Sequence, residues 1–261
     1  MSHVPKARVV GRKIGLTVIV ALAFAGFAAA TAMAKPTKVV SMDGQSNWHV
    51  QVTAPGGSAT FENGPALTQP VGEGSAHLVV PAGSGDESVQ LRSTGYSHKR
   101  LSDLVNGGAL SYWAYVHTNN GQQAPYIILN VDYTGDDNAD DLLFFEPPFQ
   151  QPGTGNAACP DQGAVEMDRW QGWDAKDGCW YAIDTNTGAF SFGAPGTGVL
   201  PLSDYVAAHP KARIVNSSST LGGIRLLVGF ASPGDAFDAS LDSARIGFGK
   251  SRDLYDFDPA S

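Results

Sequence analysis

Short apolar runs separated by turn residues fill most of the chain after residue 46. Trp48–Val52, Ala59–Phe61, Ala76–Val80 and Val89–Leu91 come first, followed by the longer Leu110–Thr118, Tyr126–Tyr133 and Leu142–Glu146. Ala189–Phe192, Ile224–Phe230 and Ser243–Phe248 complete the series. Gly, Pro, Asn and Asp punctuate the gaps, a pattern that predicts strands joined by tight turns. Along Leu110–Thr118, Tyr112, Ala114 and Val116 share one face and Trp113, Tyr115 and His117 the other. Both faces carry apolar bulk, which predicts a strand deep in a sandwich. Helical signals are few: Leu101–Val105 makes one turn, and Pro201–His209 is a short helix with Ser203 placed to cap it, Asp204 in its first turn and Pro210 to stop it. A strand is expected at Arg213–Val215. The prediction is an all-β fold, a two-sheet antiparallel β-sandwich of the jelly-roll type, with one or two short helices. Residues 47–258 read as a single jelly-roll domain and 35–46 as an extended lead-in.

The remaining apolar run, Ile14 through Ala30, lies at the N-terminus behind the basic residues Lys6, Arg8, Arg12 and Lys13. It closes on Ala32-Met33-Ala34, a small-x-small cleavage pattern, so residues 1–34 are expected to be a Sec-type signal peptide. The product is expected to be secreted, periplasmic or on the cell surface, and free of the membrane once the signal is removed. Composition agrees with a turn-rich β protein: of 261 residues, 43% are hydrophobic and only 16% charged, with 31 Gly and 16 Pro. The formal net charge is −8, and the signal carries four of the 17 basic residues and none of the 25 acidic ones. An acidic surface argues against a nucleic-acid partner, which needs a basic face to neutralise phosphates. Export also bears on Cys159 and Cys179: in an oxidising compartment an isolated pair forms a disulfide. It closes a loop of about twenty residues, for roughly 3 kcal/mol in the chain-entropy account.

Three groups of residues carry candidate chemistry. Trp170, Trp173, Trp180 and Tyr181 cluster around Cys179 with Asp168, Gln171, Asp174 and Asp177 among them. Exposed indoles serve as platforms for pyranose faces while such polar neighbours bond the hydroxyls; equally, large rings fill cores. The expected ligand-binding set is Trp170, Trp173, Trp180, Tyr181 and Asp174, with at least one Trp in the core. Asp136, Asn138 and Asp140 place oxygens at i, i+2 and i+4, the opening of a calcium loop. The later EF-hand positions depart from the pattern, since Asp141 replaces the Gly and Pro147 the final Glu. The same residues are those of a solvated hairpin turn, and both readings stand. Val165-Glu166-Met167-Asp168 opens a Glu-x-Asp-x-x-Glu hydrolase pattern, but Gln171 stands where the third acid belongs. Glu146 reads as a buried acid without a partner in sequence.

Phe61-Glu62-Asn63-Gly64-Pro65, Leu110-Ser111-Tyr112-Trp113, Phe145-Glu146-Pro147, Trp170-Gln171-Gly172-Trp173-Asp174, Gly178-Cys179-Trp180 and Tyr255-Asp256-Phe257-Asp258-Pro259 together resemble an uncharacterised β-sandwich domain of secreted and surface bacterial proteins. That domain is similar to the concanavalin-like and carbohydrate-binding-module jelly rolls. In many such modules an early Phe-Glu-x-Gly and a late Asp meet on neighbouring strands and hold a structural calcium. The resemblance puts Glu62 and Asp242 in those roles. Taken together, the sequence points to a secreted, non-catalytic binding or adhesion domain for a glycan or polysaccharide, with structural calcium. The alternative is a secreted carbohydrate-active hydrolase or lyase on the same fold.

Overall fold

The computed structural model describes residues 38–40 and 47–260, apart from Leu67, Pro152, Gly155 and Thr197. The expected signal peptide lies outside the described residues. In chain order the strands are β1 Lys38–Val39, β2 Trp48–Val52, β3 Ser58–Asn63, β4 Gly74–Val80, β5 Ser88–Ser93, β6 Ala109–Thr118, β7 Tyr126–Asp132 and β8 Asp141–Phe145. They continue with β9 Trp170–Asp174, β10 Cys179–Asp184, β11 Phe190–Phe192, β12 Leu200–Pro201, β13 Arg213–Ile214, β14 Ile224–Gly229, β15 Phe237–Phe248 and β16 Ser251–Asp256. Two short helices, α1 Leu101–Val105 and α2 Leu202–Ala208, connect them.

The strands form two sheets. One runs β1-β16-β15-β4-β3, with β6 on the other side of β15 and β9 beyond β6. The second runs β11-β10-β8-β7-β14-β5-β2, with β12 and β13 as short additions. Among the strands described, all pairings are antiparallel except β1 with β16. Period-two alternation then decides what lies between the sheets. Leu78, Tyr112, Ala114, Trp173 and Leu241 come from the first; Leu91, Leu129, Leu143, Phe145, Trp180 and Leu226 come from the second; all are fully buried in one shared cluster. The fold is the expected β-sandwich.

Several elements differ from expectation for identifiable reasons. Strand β6 is sandwiched on one face only: Tyr112, Ala114 and Val116 are buried, whereas Trp113 is exposed and Tyr115 and His117 half-buried. The disulfide neighbourhood holds two ordered strands, β9 and β10, because β9 gains a partner in β6 and β10 one in β8. Strand β15 is far longer than Ser243–Phe248. It pairs with β4 through its first half and with β16 through its second, turning at a bulge where Ser243 has a φ of 52°. Helix α2 begins at Leu202, so Ser203 lies inside it and no side chain caps it.

Candidate functional site

The tryptophan-rich segment is divided among three environments. Along β9, Trp170 and Gly172 point away from the core and Trp173 into it, where Trp173 is 1% exposed. Trp180 is also in the core, its Nε1 donating to the Ala175 carbonyl at 2.8 Å. Trp173 and Trp180 therefore cannot be a platform: both rings fill the space between the sheets. Tyr181 faces the outside of the other sheet, stacked on Phe144 at 4.8 Å between centroids, with its hydroxyl donating to Glu146 Oε1 at 2.6 Å. Burial pushes the Glu146 carboxyl pKa up, against the lowering effect of that bond. Of the expected set only Trp170 and Asp174 stand on the same sheet face.

What they join is an aromatic surface on the outside of the first sheet. The register places Trp113 beside Gly172 and Tyr115 beside Trp170. Trp113 is 41% exposed and lies across Gly172: a Cβ there would sit 3.0 Å from the indole ring. Tyr115 meets Trp170 edge-on at 5.6 Å and His117 at 4.7 Å, and His117 meets His77 at 6.1 Å. Beside Trp113 opens a shallow cavity of about 400 Å³ lined by Ser111, Gln162, Asp174 and Asp177 among others. Along the rest of the face, His77 Nδ1 lies 3.1 Å from Glu62 and its Nε2 2.7 Å from Asp238. Trp113, Tyr115, His117 and His77 were not among the expected site residues. Their signal is present in the sequence, because three of the four alternate along one strand, but rings on both faces of a strand also point to a place deep in a sandwich.

The residues expected to hold calcium are engaged in contacts within the chain. Glu62 turns to His77, while Asp242 is buried and accepts from the Val71 and Phe257 amides at 3.1 and 3.3 Å. Strand β4 runs between them, with Glu62 opposite Ser75 and Ala76 opposite Leu241, so their backbones stand about 10 Å apart across two strand spacings. Burial instead groups Asp242 with Asp256. Burial and then the Asp256 charge push Asp242 up to about 7, while burial and Asp258 push Asp256 up to about 6. In the acidic turn, Asp136 accepts the Asn138 amide at 2.9 Å, and Asp140 accepts those of Tyr133 and Thr134 at 2.8 and 2.9 Å. These carboxylates fold the turn onto itself. Among the described residues no group of three or more His, Cys, Asp or Glu is arranged to hold a metal ion.

Glu166, the first acid of the hydrolase-like pattern, forms a surface ion pair with Arg169, and Asp168 approaches His117 at 3.8 Å. Cys159 and Cys179 are joined, their Cα atoms 5.7 Å apart. Among the described residues no helix is long and apolar enough to cross a membrane. No protein-family model and no curated protein matches the chain. The crystal structure of a family 30 carbohydrate-binding module aligns with 77% of this chain and 78% of its own at 13% identity, with a TM-score of 0.38.

Proposed function

We propose that the chain is an exported, non-catalytic glycan-binding domain whose ligand lies on the outer face of the first sheet. The observation that carries this reading is Trp113: a large ring, open to solvent, laid flat over Gly172 and flanked by amide, hydroxyl and carboxylate side chains. A sugar's C–H face stacks on such a ring while the polar rim takes its hydroxyls. Tyr115, Trp170 and His117 extend the surface along the strands, which favours an extended chain over a single sugar. The disulfide and the leader-like N-terminus support export.

Titration against a panel of soluble oligosaccharides tests the proposal. Trp113→Ala should weaken binding at least tenfold, while the melting midpoint stays within about 2 °C of the parent because the ring leaves solvent rather than core. Binding that survives the substitution unchanged places the ligand elsewhere. Release of reducing sugar from the same panel would establish the hydrolase reading instead.

A further inference from the structure

The outer face of the second sheet carries charge that nothing in the fold balances. Arg92 on β5 and Arg225 on β14 are directly opposite partners in the ladder. Leu91 and Leu226 face the core, so both guanidinium side chains rise from the outside of the sheet. Like charges directly opposite each other on a sheet repel, yet neither arginine meets a carboxylate within ion-pair distance among the described residues. Arg92 is buried and spends its donors on neutral oxygens: Nε and Nη2 reach the Gly222 carbonyl at 3.2 and 3.0 Å, and Nη1 reaches Gln51 Oε1 at 2.7 Å. Arg225 donates from Nη2 to Asn130 Oδ1. Its Nε is buried with no partner, and so is the Gln90 Oε1 two residues from Arg92. Burial, together with the Arg92 charge, lowers Arg225 to about 9. A protein of net charge −8 has many carboxylates to spare, so two adjacent desolvated cations without one are poorly explained by stability.

We propose that Arg225, with the buried Arg92 charge beside it, forms an oxyanion site on the face opposite the Trp113 platform, taking a carboxylate or a sulfate group from a ligand. A guanidinium fork matches both, bonding two oxygens of one group. The ladder continues the same row through Ile128, Phe144 and Tyr181, an apolar flank that begins one strand spacing, about 5 Å, from Arg225. The site makes no use of Trp113 and does not depend on the glycan reading.

The test is a set of thermal melts and titrations of the mature protein with glucuronate, glucose 6-sulfate and uncharged glucose, all at one ionic strength set with chloride. One or both anionic probes should raise the melting midpoint by about 2–4 °C at saturation, and glucose should not. Which probe acts tells a carboxylate from a sulfate source. Arg225→Met should abolish the shift while its own melt stays a single cooperative transition. Should that variant fail to fold, Arg225→Lys, which keeps charge but loses the fork, should still weaken probe affinity at least tenfold. No shift in the parent protein, or an equal shift in Arg225→Met or Arg225→Lys, overturns the proposal; the second result would mark a general salt effect.

Discussion

One residue step along β9 separates a candidate ligand contact from a core residue. Gly172 lies under an exposed indole and Trp173 is wholly buried, so substitutions at neighbouring tryptophans have opposite consequences. Trp173→Ala opens a cavity between the sheets and should cost about 3–5 kcal/mol in chemical denaturation, whereas Trp113→Ala should cost little. A Trp173→Ala protein as stable as the parent would show that the ring is not packed as described. Backbone geometry adds a second constraint at this scale. Any side chain at 172 must displace Trp113, so Gly172→Val should reduce glycan affinity by tilting the ring, with only a small change in stability.

At the scale of elements, the disulfide tethers β10 to the irregular segment following the Pro147–Phe149 turn. That segment is also held by Gln150, whose side chain donates to the Cys179 carbonyl at 2.9 Å and accepts the Cys179 amide at 2.8 Å. The double substitution Cys159→Ser, Cys179→Ser should lower stability by roughly 3 kcal/mol. Hydrogen exchange should speed up around residues 150–163 well before it does in β7 or β14, whose bonds lie in the middle of the sheet. Uniform acceleration across both sheets would contradict this. The element scale also shows what could be read from the sequence. Ala76–Val80 predicted a strand through partial alternation, and Tyr126–Tyr133 through a near-continuous apolar run, the trace of a strand whose residues are buried on both faces. Strand β9 left little trace, since Gln171-Gly172 and the Asp174–Gly178 turn are polar and its order comes from β6, far along the chain; β10 is the apolar run Cys179–Ile183, whose rings also fit a ligand cluster. The site was partly legible for the same reason. Trp170 and Asp174 were named from local composition, but Trp113, Tyr115 and His77 join them only through pairing across β9, β6, β15 and β4.

For the whole molecule, the pH response follows from acids buried where the end of the chain packs on the first sheet. Asp242 and Asp256 hold their protons to about 7 and about 6, above the ordinary carboxylate value of 3.8. Between about pH 4 and pH 7 the folded form therefore binds more protons than the unfolded form, and stability falls as pH rises through that window. The melting midpoint should decline from pH 4 to 7 by more in the parent than in Asp242→Asn, which removes the titrating proton and keeps one of the two oxygens that accept from Val71 and Phe257. Identical slopes would remove Asp242 as the cause. The same melts in millimolar calcium test the calcium expectation. A cation held by these carboxylates lifts the midpoint by several degrees at pH 7 and little at pH 4, and an unchanged midpoint excludes one.

The distribution of the five tryptophans gives the molecule an optical property. Trp173 and Trp180 are sealed from solvent and Trp48 and Trp170 are half-covered, which leaves Trp113 as the one indole counted among the exposed large residues. Collisions with an aqueous quencher such as iodide therefore extinguish mainly one fluorophore, and that fluorophore stands at the centre of the candidate platform. Its red-edge emission, with a smaller contribution from half-covered Trp170 beside it, reports occupancy of that one face.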